Sequence, residues 1–202
     1  MKKLIAGVVL GLGLVTSAYG AGDPEAGKAN AAVCAGCHGQ GGQQPVMGEY
    51  PKLSGLGAVY IHRQLVNIQS GKRNVAQMAG ILNGKSDQDL QDLAAYFDSQ
   101  DMIIGKADPD LVDAGRKLFR GGNMASGVPA CAGCHNPHGL GNGPAGFPRL
   151  SGQNPAYVAK QLKAYRNGER STGAQSQIMM NVASRLTDAE IEAVASYVTG
   201  LH

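Results

Sequence analysis

Apolar positions along this chain recur at helical spacing in short stretches set between glycine- and proline-rich segments, and no stretch alternates in the manner of a half-buried strand. Leu90, Leu93, Ala94 and Phe97 form one stripe, behind a start at Ser86-Asp87-Gln88-Asp89 whose serine cap and early acids suit the positive end of a helix dipole. Ile191, Val194, Ala195 and Val198 form another, behind Thr187-Asp188-Ala189-Glu190, which reads as a capping box. Asp23-Pro24-Glu25 opens a short helix, with a cap followed by proline at the first helical position. Further helices are predicted from about Ala58 to Gln69, stopped by Gly71, from about Pro109 to Phe119, and from Asn154-Pro155 to near Gly168. The fold class is therefore all-α.

These elements are one plan written twice. An offset of 97 residues carries Tyr50-Pro51-Lys52-Leu53-Ser54-Gly55 onto Phe147-Pro148-Arg149-Leu150-Ser151-Gly152, Tyr60 onto Tyr157, Gln64-Leu65 onto Gln161-Leu162, and Gly71-Lys72-Arg73 onto Gly168-Glu169-Arg170. Such agreement implies two tandem domains made by internal duplication, over residues 21–102 and 103–202, with the stretch from Ser99 to Asp108 as linker. The second copy carries extra residues around Arg120 to Val128, expected to form a surface loop.

Residues 1–20 stand outside this plan. Met1-Lys2-Lys3, an apolar run from Leu4 to Val15, and small residues through Ala18-Tyr19-Gly20 make a secretory signal peptide, too short in its apolar part for a comfortable membrane span. Ala21 is the expected mature N-terminus. Cleavage removes Lys2 and Lys3 and takes the formal charge from +3 to +1. Residues 21–105 hold six Lys/Arg against eight Asp/Glu, and residues 106–202 hold ten against seven, so the mature chain is electrically polar. So small an excess excludes a nucleic-acid footprint. Aromatic residues make up 5%, with no Trp, which is poor material for two small cores and calls for a staple.

The candidate staple lies in the cysteines. All four belong to two runs at the same offset, Cys34-Ala35-Gly36-Cys37-His38 and Cys131-Ala132-Gly133-Cys134-His135. C-x-x-C-H is the attachment signal of a c-type haem, in which two thiols add to the porphyrin vinyl groups and the following histidine lies under the iron. A redox disulfide gives no reason for a histidine after both pairs, and a four-cysteine zinc site would leave two spare imidazoles. Two covalent haem c groups are expected, one for each domain, attached through Cys34, Cys37, Cys131 and Cys134.

The ligand opposite each histidine decides what the iron can do. A thioether closes it at a higher potential suited to electron transfer, a second histidine gives a low potential, and an open position favours oxygen or substrate chemistry. Met78 lies eight residues before the Ser86 cap and Met179 eight before the Thr187 cap. That shared register makes them the axial partners of His38 and His135, with Met180 as the rival. Met47, Met102 and Met124 lack counterparts and are read as packing residues, and His62, His138 and His202 as surface residues. Pro51 and Pro148 occupy matching turns whose backbone is expected to accept the outer N–H of each axial histidine.

The two C-x-x-C-H runs, the aromatic-Pro-Lys/Arg-Leu-Ser-Gly repeat, the Gln-Leu pairs and the closing Ala-Ser-Tyr-Val-Thr-Gly-Leu-His over 195–202 together resemble the dihaem cytochrome c4 family across essentially the whole mature chain. The resemblance implies two class I cytochrome c domains related by a pseudo-twofold axis, with haem edges facing across the interface. It implies a periplasmic, non-enzymatic electron carrier of the respiratory chain, often membrane-associated, between a quinol-oxidising bc-type complex and a terminal oxidase such as the cbb3 type. Cys34, Cys37, His38 and Met78 fall on the family's first site, and Cys131, Cys134, His135 and Met179 on its second. The interval from His38 to Met78 is shorter than the family leads one to expect. A dihaem peroxidase would need one module to lack its methionine, and neither does. A cytochrome subunit that stays bound to a dehydrogenase fits the charge asymmetry as well as a free shuttle does.

Overall fold

A computed structural model describes residues 22–202; residues 1–20, expected to be a signal peptide, and Ala21 lie outside this range. Asp23 accepts the N–H groups of Glu25 and Ala26 and starts α1 (Pro24–Asn30), as its sequence requires. A kink at Ala31 leads into α2 (Ala32–His38), which carries the first haem run. α3 (Ala58–Gln69) and α4 (Asp87–Asp98) complete the first domain. Ser86 and Asp89 form a reciprocal capping box at the start of α4.

The second domain repeats the order with α5 (Pro109–Gly121), α6 (Ala132–His135), α7 (Pro155–Arg166), α8 (Ala174–Ala183) and α9 (Asp188–Thr199), the last capped by the Thr187/Glu190 box. Among the described residues there is no β-strand, only isolated bridges at Asn123–Val128 and Asn142–Phe147. The first of these closes the predicted surface loop, with both backbone bonds at 2.9 Å.

In each domain the first and last helices cross at a glycine. A Cβ on Gly27 of α1 would lie 2.0 Å from the Asp92 carbonyl oxygen of α4, and one on Gly115 of α5 would lie 2.3 Å from that of Ala193 in α9. Only glycine lets these backbones approach so closely. Leu90, Leu93 and Phe97 then fill the first core, and Phe119, Ile191 and Val198 the second.

One element was not legible. α8 replaces what in the first domain is a single 3-10 turn at Ala76–Met78, because four more residues separate Arg170 from Thr187 than separate Arg73 from Ser86. Four residues are one helical turn, enough to convert a turn into a helix without shifting the next cap. Two packing assignments also need correction. Met102 is buried in the first core, but Met47 is 53% exposed and Met124 is 92% exposed. Met124 stands on the inserted loop, which has no opposing layer to pack against.

Candidate functional site

His38 ends α2 and His135 ends α6, so in each domain a helix of C-x-x-C-H residues delivers the imidazole into the core. The chain turns away through a residue of positive φ, Gly39 in the first copy (φ 76°) and Asn136 in the second (φ 73°), Asn136 being the one non-glycine residue with positive φ among the described residues. Both rings are buried. Each engages the backbone through Nδ1, His38 donating to the Pro51 carbonyl at 2.9 Å and His135 to that of Pro148 at 2.9 Å. The two proline turns therefore do what their spacing predicted. Burial pushes both ring pKa values down, against the raising effect of the proline carbonyls, which favours the neutral imidazole that ligates metal.

The four thiols are unpaired. Cys37 and Cys134 are exposed, while burial raises Cys34 and pushes Cys131 up to about 11. No group of three or more His, Cys, Asp or Glu residues converges on a metal-sized site among the described residues, so the two cysteine pairs do not meet as a zinc site would require.

A cavity of about 900 Å³ opens beside the first run. Cys34, Cys37, His38 and Met78 border it, with Ile61 and Leu65 of α3 among its apolar walls. Thiols, imidazole and thioether around one apolar space are the donor set of a c-type haem. In the second domain Cys131, Leu150 and Leu162 each pack, partly buried, against the core. Met179 and Met180 are both half-buried on α8, and each lies three or four residues from buried Ser176 and from buried Ala183. Helix geometry thus leaves the choice between them to the register with Met78. His62 takes a structural part, its Nε2 pairing with Asp87 at the start of α4 at 2.8 Å. His138 and His202 are exposed, as expected.

The cavity also reaches Tyr157, Gln161 and Arg170 of the second domain. There the duplicated residues meet as a symmetric cluster. Arg73 donates to its own Gln64 at 2.8 Å and across the interface to Gln161 at 3.1 Å and Tyr157 at 3.3 Å. Arg170 donates to its own Gln161 at 2.8 Å and across to Tyr60 at 2.8 Å and Gln64 at 3.1 Å. Burial raises the Tyr157 phenol, but the two guanidiniums beside it outweigh burial and bring it below its ordinary value. The 97-residue repeat contained all six residues, yet it assigned them no role, because a partner in the other copy leaves no local signal.

The cytochrome c family model matches residues 24–101 and again 112–202. Cytochrome c4 of Pseudomonas aeruginosa is 50% identical over 202 residues, covering 100% of both chains. The chain belongs to the cytochrome c4 family. The crystal structure of reduced recombinant cytochrome c4 from Pseudomonas stutzeri superposes with a TM-score of 0.87 at 48% identity, covering 90% of this chain and 100% of that one. A Thiomonas intermedia protein described as a thiosulfate dehydrogenase electron acceptor is 36% identical, covering 98% of this chain and 90% of its own length. As a dihaem cytochrome c4, the protein carries two covalent haem c groups and acts as a redox electron carrier toward protein partners.

Proposed function

We propose that the protein is a periplasmic, non-catalytic shuttle that takes electrons from a quinol-oxidising bc-type complex and passes them to a terminal oxidase such as the cbb3 type, with both irons closed by histidine and methionine. The observation that carries this reading is the paired tether of His38 and His135. Each ring spends its Nδ1 on a proline carbonyl, so Nε2 is the nitrogen left for iron. Haem iron supplies a one-electron ferric/ferrous couple, and a thioether opposite imidazole favours that couple over binding of substrate.

Cys34 and Cys37 would hold the first group and Cys131 and Cys134 the second, with Met78 and Met179 closing the irons. Among the described residues neither Arg73 nor Arg170 forms an ion pair with a carboxylate, and both border the cavity. A haem brings two carboxylates of its own, and guanidiniums such as those of buried Arg170 and half-buried Arg73 are the side chains suited to such groups. The residue ranges 21–102 and 103–202 are proposed as the two cytochrome c domains, after removal of residues 1–20 on export.

Carbon monoxide tests closure of the irons. Ferrous protein should bind almost none, and full binding would mean an open iron and a different chemistry. N-terminal sequencing of periplasmic protein should begin at Ala21.

A second reading is favoured by the Thiomonas intermedia relative, whose description makes it an acceptor for thiosulfate dehydrogenase. Mixing the oxidised protein with such an enzyme and thiosulfate decides between them. Reduction at a rate matching enzyme turnover supports the acceptor role, and reduction only by a bc-type complex supports the shuttle.

A further inference from the structure

Although the two domains are copies, the carbonyls that hold their histidines are supported in different ways. In the second domain the strip Phe147-Pro148-Arg149 is part of a local hairpin. Asn142 N–H donates to the Phe147 carbonyl at 2.9 Å, and Phe147 N–H returns a bond to the Asn142 carbonyl at 3.0 Å. The matching residue in the first domain is Pro45, which has no N–H to give.

In the first domain's strip, Tyr50-Pro51-Lys52, Tyr50 N–H bonds the local Met47 carbonyl at 3.0 Å, but the carbonyls on either side of Pro51 are held by the second domain. Asn154 Nδ2 donates to the Tyr50 carbonyl at 2.8 Å. Gln153 Oε1 accepts from Lys52 N–H at 2.8 Å, and Gln153 Nε2 donates to the Lys52 carbonyl at 2.9 Å. The same Oε1 also accepts Asn154 N–H at 3.0 Å, so the amide can face only one way. Gln153 is 3% exposed, and the Lys52 ammonium adds bonds to the carbonyls of Gly152, at 2.8 Å, and of Ile103 in the linker. The peptide carbonyl between these grips is that of Pro51, the acceptor of His38 Nδ1–H.

The amide grip is not reciprocated. The positions matching Gln153 and Asn154 are Leu56 and Gly57, which offer no side-chain hydrogen bond. The first domain reaches the second strip's backbone through a 3.4 Å bond from Arg149 N–H to the Leu56 carbonyl, and through Arg63 Nη2 donating to the Gly146 carbonyl one residue ahead of it at 2.7 Å, neither of which touches the carbonyls on either side of Pro148.

We propose that Gln153 and Asn154 of the second domain are positioning residues for the axial histidine of the first, setting the reduction potential of the His38 iron across the domain interface, while the His135 iron is set within its own domain. A firmly held acceptor draws the Nδ1 proton, makes the imidazole a stronger donor and favours the ferric state. Releasing the Pro51 carbonyl shifts the couple toward ferrous. This inference rests on His38 being the axial ligand.

The test compares the holoprotein with Gln153→Leu and Asn154→Gly, which install the first domain's own residues, and with Thr172→Val, which deletes a different interdomain bond, Thr172 Oγ1 to the Lys72 carbonyl at 2.6 Å. Potentials are read by titration, each iron being followed through the haem methyl resonances of its domain. Gln153→Leu should favour the ferrous His38 iron by about tenfold, or about 59 mV for a one-electron couple, the lower end of what losing an outer partner costs a metal site. Asn154→Gly, which removes the single bond to the Tyr50 carbonyl, should shift it in the same direction by less. The His135 iron should stay where it was in both, and Thr172→Val should move neither. Equal shifts of both irons, or no shift of the His38 iron in a folded variant, overturn the proposal. His38→Gly with added imidazole checks the ligation separately: recovery of the native spectrum on adding imidazole upholds it, and a spectrum unchanged without imidazole overturns it.

Discussion

Replacing Gly115 with alanine adds one methyl group where the first and last helices of the second domain cross. That methyl would lie 2.3 Å from the Ala193 carbonyl oxygen and 2.5 Å from the Tyr197 Cβ. Ordinary contacts are longer by about 1 Å, and these neighbours are backbone, or fixed directly to it, so α5 and α9 must move apart. In an open helix the same change would help by about 1 kcal/mol through helix propensity. Overpacking a dense core costs about 1–3 kcal/mol and more when the backbone has to shift, so the net loss should be about 2 kcal/mol. For a domain of this size that corresponds to a fall in Tm on the order of 10 °C. Gly121→Ala is the control, since the same helix carries Gly121 with no atom within 4 Å of an added Cβ. It should be neutral or slightly stabilising. Thermal and urea unfolding of the holoprotein, followed by far-UV circular dichroism and by the Soret band, give both values. If Gly115→Ala is as stable as Gly121→Ala, the helices do not cross at this distance and the packing argument fails.

Pyridine haemochrome analysis should return two haems per chain, and replacing Cys131 and Cys134 with serine should leave one covalently bound. Met179→His should lower the potential of the second iron, whereas a drop with Met180→His and none with Met179→His would refute the register with Met78. Thr187→Ala should cost about 1 kcal/mol of stability by removing the α9 cap. In acid, hydrogen bonds to Ser86 hold Asp89 below its ordinary pKa, and the Thr187 N–H and Asn123 do the same for Glu190. Their contribution should be complete above the unfolded value of about 4 and fade as pH falls through the lower folded values. Asp89→Asn and Glu190→Gln should therefore flatten the stability profile below about pH 4, and a profile as steep as that of the parent would refute the link.

Local signals settled a large part of this protein before any fold was known. Asp23-Pro24, Ser86 and Thr187 begin helices because each satisfies orphan N–H groups within three residues, and the C-x-x-C-H runs act within one helical turn. The turns at Pro51 and Pro148 were legible because duplication repeats their distance from His38 and His135. α8 was missed because its residues carry no cap and no clear apolar stripe, so that its stability comes from packing against α7. How the copies face one another was decided by tertiary structure alone. Gln153 meets Lys52 across 101 residues, and Arg170 meets Tyr60 across 110. Pro45 reads as an ordinary loop proline until the second domain supplies the donor that it lacks. Spacing within a copy is local and repeats with the sequence, whereas an interface depends on where two finished surfaces come to rest.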